Sequence, residues 1–181
     1  MDVSMPSPPQ AVAILLCLLT IASDVIEHRV RNTWLLAALT IGAGWTIWSW
    51  LNENGAPPWA AGVGLLIGLL VLLPFYVMRW MGAGDVKFFA TLGFLLGGKA
   101  LLPIWIIASV LGGIHAVGLL LSRYVMRHAG SGLAAMQAQF GQSYLWQRVL
   151  AARNGRKGLP YAAYMAIGAL LTMKFTSLTH W

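Results

Sequence analysis

Apolar residues run along this chain in long blocks, separated by short clusters of glycine, proline, asparagine and charge. The blocks fall near 9–24, 33–51, 57–80, 85–98, 100–122 and 159–178, and their length and apolarity predict six helices set in a bilayer. The fourth is short: a helix from 85 to 98 rises only about 20 Å. It must therefore tilt little, thin the bilayer, or begin earlier within the glycines that precede it. Pro74 is a candidate kink in the third helix. Gly62, Gly64, Gly68, Gly112 and Gly113 are small enough to let neighbouring helices approach closely.

The one substantial polar stretch runs from 123 to 158. Within it Leu133, Met136, Phe140 and Tyr144 recur at helical spacing, while Gln137, Gln139, Gln142 and Gln147 occupy other faces. That pattern predicts a helix lying on the membrane surface, with basic ends suited to anionic headgroups. It serves either as a surface anchor or as a guide for a substrate.

Composition agrees with the pattern. With 59% hydrophobic residues, 9% charged residues and a mean hydropathy of +0.72, the chain is unlike an ordinary soluble domain. The expected fold class is an all-α, polytopic integral membrane protein. About 20 residues are needed per span, so 181 residues are expected to form one membrane domain over 1–181, with no separate soluble domain. Met1 to Gln10 carries no Lys or Arg and three prolines, unlike the basic start of a secretory signal, so the first apolar segment is expected to be retained. Tryptophans such as Trp34, Trp48, Trp50, Trp59 and Trp80 cluster near proposed span ends, as in an aromatic belt.

The net charge of +7 does not point to nucleic acid, because the basic residues lie between apolar runs rather than along one polar face. The expected partner is the lipid bilayer. The single cysteine, Cys17, falls within the first apolar run, which excludes an internal disulfide and a cysteine-clustered zinc site. It is expected to be a small buried hydrophobe. No histidine and acid cluster has metal-ligand spacing, so no metal or other cofactor is expected. Nothing in the sequence indicates an oligomeric state.

The distribution of charge orients the helices. Arg29, Arg31, Arg79, Lys87, Arg123, Arg127, Arg148, Arg153, Arg156 and Lys157 fall on one side, and Lys99 and Lys174 on the other. The positive-inside rule makes the first side cytoplasmic and puts both termini outside. Asp24 then ends an inward-running helix and Asp85 begins an outward-running one, so the two acids sit at similar depth near the inner interface. A carboxylate there is expensive to keep, and the only other aspartate is Asp2.

Two converging carboxylates can do the chemistry of an aspartic protease. One activates water as a general base while the other, protonated, polarises the scissile carbonyl and helps the amine leave. Like charges so close hold one proton between them and titrate as a unit. In Gly82-Ala83-Gly84-Asp85 the glycines permit a tight turn or close approach of a substrate strand. Other readings compete at each position. Asp85 can cap a helix start or pair with Lys87, and Asp24 can pair with Arg29 or Arg31. Lys87 is either a substrate-binding group or a snorkelling anchor. Glu27 and His28 are expected to be solvated loop residues, and His115 to serve helix packing. For the whole chain, a small proton-coupled transporter or channel and a non-catalytic assembly subunit are the alternatives.

Beyond these readings, Asp24 followed by Arg29-Val30-Arg31-Asn32-Thr33-Trp34-Leu35, then Gly82-Ala83-Gly84-Asp85-Val86-Lys87-Phe88, Gly93, Gly97, and Leu159-Pro160-Tyr161 leading into Ala166-Ile167-Gly168-Ala169-Leu170, resemble the type IV prepilin peptidases. The chain is similar in particular to the short CpaA/TadV-like form serving Flp/Tad pilus systems. The resemblance implies a GxGD-type aspartic endopeptidase of the bacterial inner membrane that removes the basic leader of prepilins or pseudopilins, after a glycine, at the cytoplasmic face. It implies that Asp24 and Asp85 are catalytic, with Gly82, Gly84, Lys87 and Asn32 shaping the site or binding substrate. The longer members carry an N-terminal domain with paired cysteines and an N-methyltransferase activity; this chain shows neither, which implies cleavage without methylation. Two positions depart from the usual pattern: Arg31 stands where proline is common, and Ala162 where glycine is.

Overall fold

The computed structural model describes residues 7–27, 30–52, 55–128 and 160–175. Six helices account for nearly all of them: α1 (Pro8–Glu27), α2 (Asn32–Leu51), α3 (Pro58–Val77), α4 (Ala83–Leu96), α5 (Gly98–His128) and α6 (Tyr161–Lys174). No strand occurs among the described residues. The fold is all-α, and each expected apolar block holds one helix. The fourth begins inside the glycine motif, at Ala83, and α5 continues six residues past the expected end at 122. The surface helix expected over 123–158 lies, from 129 onward, outside the described residues.

Three helices are long and apolar enough to cross a membrane: α2, α3 and the Gly98–Ser122 part of α5. The Pro8–Asp24 part of α1 is a shorter apolar segment. Large apolar side chains such as Leu36, Trp48, Leu70, Ile114 and Leu120 stand exposed on these helices, a surface that only lipid or another apolar partner covers. Together these features make the chain a membrane protein.

At 14 residues, α4 spans about 21 Å, less than the roughly 30 Å of a hydrocarbon core. It sits instead at the centre of the group, against all five other helices. A helix apolar on every face belongs in such a position, and Val86, Phe88, Phe89, Ala90, Leu92 and Leu95 are buried around it. Its most extensive packing is on α3, and the reason is glycine. A Cβ on Gly64 would strike the carbonyl of Gly93, and one on Gly93 the carbonyl of Gly64; a Cβ on Gly68 would lie 2.9 Å from Ala90 Cα. Backbone meets backbone there, as in small-residue interfaces within membranes. Of the other glycines expected at contacts, Gly62 and Gly113 face open space, whereas Gly112 faces two tyrosine rings of α6.

Two helix ends set the connections to α4. At the end of α3 the N–H of Arg79 donates to Tyr76 O at 2.9 Å and that of Trp80 to Phe75 O at 3.0 Å, the paired bonds of a Schellman cap. The accompanying apolar contact is present, with the Phe75 and Trp80 rings 6.2 Å apart. The left-handed position is filled by Arg79 at φ 60. Pro74 lies within the last turns of α3, and its carbonyl accepts the Met78 N–H at 2.9 Å. At the other end of α4, Gly97 has φ 86 and ψ 160, a region open in practice only to glycine, and this turns the chain directly into α5.

Candidate active site

The end of α1, the start of α4 and the start of α6 meet at one end of the helix group. Asp24 lies in the last turns of α1 on its inner face and is only 5% exposed. Asp85 is the third residue of α4 and is half-buried. The two carboxylates are close enough for their charges to interact. The structure thus brings together the two acids singled out from the sequence.

The first turn of α6 explains how they are held. A helix begins with N–H groups that have no partner within the helix, and a serine, threonine, aspartate or asparagine at the cap position usually accepts from one of them. Here the cap residue is Pro160, which makes no side-chain cap bond. Acids from two other helices come to that place: the Ala163 N–H donates to Asp24 Oδ2 at 3.0 Å, and the Ala162 N–H lies near enough to the Asp85 carboxylate to interact with it. The start of one helix therefore binds Asp24 and faces Asp85, and the positive end of the helix dipole offsets part of their mutual repulsion.

Asp85 also reaches back within its own helix. Gly82 N–H donates to Asp85 Oδ2 at 3.3 Å, and Asp85 N–H donates to Gly82 O at 3.1 Å. The capping role considered for Asp85 is thus present alongside its approach to Asp24. Neither Gly82 nor Gly84 adopts a positive φ, so neither is required for a tight turn. The close approach is real at Gly84, where a Cβ would lie 3.3 Å from Val30 Cβ. The neighbour is the link between α1 and α2, and the glycine lets that link press against the start of α4.

Lys87 and Asn32 also come together, with Lys87 Nζ donating to Asn32 Oδ1 at 3.4 Å. They stand at the polar end of an open groove of ≈330 Å³ between α2, α3 and α4, whose walls include Leu36, Leu39, Leu65 and Leu69. Arg31 lies over the Trp34 ring at 5.1 Å, and its φ of −77 is one that proline also adopts. Ala162, the other departure from the common pattern, is fully buried. His28 and the side chain of Glu27 lie outside what the structure describes. Among the described residues, no three His, Cys, Asp or Glu side chains are grouped so as to hold a metal ion.

Sequence reading missed the backbone donors of α6, because an N–H group has no letter of its own. The available signal was Pro160, a helix start whose cap residue carries no acceptor and whose donors must look elsewhere. It also missed the polar link between α5 and α6. Ser109 Oγ lies 3.2 Å from Tyr161 OH, and Tyr164 OH lies 2.6 Å from His115 Nδ1. The helix-packing role expected of His115 has this bond as its physical form.

Residues 11–117 match the model of the type IV leader peptidase family. A protein of Escherichia coli O78:H11 (strain H10407 / ETEC), described as a type 4 prepilin-like proteins leader peptide-processing enzyme, is 35% identical over 109 residues, covering 54% of this chain and 39% of that protein. The match thus spans well under two thirds of the relative's length. No solved structure matches the chain. Both acids lie within the matched stretch, which takes in more than half of the sequence, and the chain belongs to the type IV leader peptidase family.

Proposed function

We propose that this protein is an aspartic endopeptidase that removes the leader peptide of prepilins, with Asp24 and Asp85 as the catalytic pair. The observation that carries the proposal is the meeting of these two acids, from α1 and α4, at the first turn of α6, where the Ala163 N–H holds Asp24 within charge range of Asp85. Each carboxylate is held through a backbone donor and keeps further lone pairs for a shared proton and a water. One ionised acid takes a proton from water as it attacks the carbonyl carbon; the other protonates the departing amine. Lys87 and Asn32, at the polar end of the groove, hold the substrate, whose apolar helix lies in the bilayer beside α2 and α3.

The finer parts of the reading follow from sequence. The substrate is a Flp-type prepilin cut after a glycine, as the resemblance to the short Flp/Tad form implies. The excess of basic residues at the aspartate end supports a site at the cytoplasmic face of a bacterial inner membrane, with both termini outside and one membrane domain over 1–181. A product without N-methylation is what the resemblance to the short form implies.

The test is co-expression with a Flp-type prepilin, following the mobility shift on leader removal and the mass of the new N-terminus. Wild type is expected to cut, and Asp24→Asn and Asp85→Asn, at equal membrane levels, are expected not to. Cleavage that survives either change removes that acid from the mechanism.

A further inference from the structure

We infer that Ser109, Gly112 and His115 of α5 form a positioning track that fixes the first turn of α6 and, through it, the placing of Asp24 and Asp85; the inference rests on the paired-aspartate reading. The three residues are spaced by three along α5 and share one face. Opposite them, Tyr161 and Tyr164 are spaced by three on α6. The track pairs one to one with these rings. Ser109 Oγ meets Tyr161 OH at 3.2 Å, and His115 Nδ1 meets Tyr164 OH at 2.6 Å, with the His115 and Tyr164 rings 5.9 Å apart and tilted. Between these bonds the tyrosines lie over Gly112, whose Cβ, if it had one, would sit 3.5 Å from Tyr164 Cδ2 and 3.7 Å from Tyr161 Cε2.

The two anchored side chains flank Ala162 and Ala163, the second of which holds Asp24 through its N–H, while the first faces Asp85. A helix pinned by hydrogen bonds at its first and fourth residues can neither rotate about its axis nor slide along its neighbour without breaking one of them. The donors at 162 and 163 are therefore aimed by α5. Such bonds are directional in a way that apolar packing is not, and Val110 and Ile114, exposed in the same stretch of α5, offer no polar substitute. None of the α5 residues touches the carboxylates in the bonds described, so their effect is on geometry. Catalytic geometry is sensitive at this level: a displacement of about 1 Å can cost up to about a hundredfold in rate.

The experiment measures kcat and KM for leader removal by the full chain in detergent micelles, at matched amounts of folded protein. Tyr164→Phe, which removes a single oxygen, is expected to lower kcat about tenfold while KM stays within about twofold. His115→Leu is expected to match it, and His115→Gln, which keeps a polar partner, to recover most of the loss. At Gly112 the effect should be graded: Ala makes ordinary contact with the rings and keeps at least about half of the rate, whereas Leu pushes the tyrosines away and lowers kcat as Tyr164→Phe does. Wild-type kcat in both Tyr164→Phe and His115→Leu, or a loss confined to KM, overturns the inference. Where Gly112→Leu fails to accumulate, Tyr164→Phe decides. Asp24→Asn and Asp85→Asn are run beside them: if these cut normally, the paired-aspartate reading has failed and the inference with it, whereas inactive aspartate variants beside a fully active Tyr164→Phe reject the track alone.

Discussion

Gly82 and Gly84 flank the start of α4 for different physical reasons, and substitution should separate them. At Gly84 a side chain meets Val30 at 3.3 Å, so Gly84→Val must push the link between α1 and α2 away from the helix. Overpacking of this kind costs about 1–3 kcal/mol, and the shift acts one residue from Asp85. At Gly82 the backbone has φ −76, and a Cβ would meet Asp85 Oδ2 at an ordinary 3.4 Å. Gly82→Ala should therefore cost less than about 1 kcal/mol. Denaturant unfolding in micelles, together with the cleavage rate, measures both; a greater loss for Gly82→Ala would show that the contact with Val30 is not what Gly84 serves. The two acids were legible in the sequence because the chain has so few of them and the charge bias put both at one depth. Their partners were not, since Ala162 and Ala163 act through backbone that every residue shares. Arg31 and Ala162 illustrate the same limit: a change of letter left the backbone's work intact, one at a φ that suits proline and the other through an unaltered N–H.

The elements themselves were almost fully legible, because an apolar block long enough for a bilayer has few alternatives to a helix. What escaped was their ends and their roles. The start of α4 at Ala83 depends on Gly82 and Asp85 bonding to one another, and the central place of α4 follows from contacts with five helices that no single block announces. Glycine spacing marked Gly64 and Gly68 as contacts, but the same spacing marked Gly62, which faces open space. Arg79 occupies a left-handed position, at φ 60, that costs an L residue roughly 1–2 kcal/mol and that glycine fills without strain. Arg79→Gly is expected to raise unfolding stability by about 1 kcal/mol, read as an increase in the unfolding midpoint. A fall in the midpoint would mean that the charge of Arg79 at the interface contributes more than its backbone strain removes.

Across the whole molecule, the site is a meeting of distant parts of one chain. The stretch matching the family ends at residue 117, within α5, yet the N–H that holds Asp24 lies at 163. A chain ending at His128 carries both aspartates and the entire matched stretch, and is expected to cut no prepilin; supplying 129–181 as a second polypeptide in the same membrane is expected to restore cleavage. Activity in the short chain alone would show that α6 is dispensable for bringing the acids together. The position of α6 also has a consequence in time. A ribosome makes Asp24 first, Asp85 next and the helix start that meets them only after 75 or so further residues, on the order of two-fifths of the chain. If the two acids are the catalytic pair, a copy interrupted before α6 is expected to be inert, carrying both acids without the helix start that holds them.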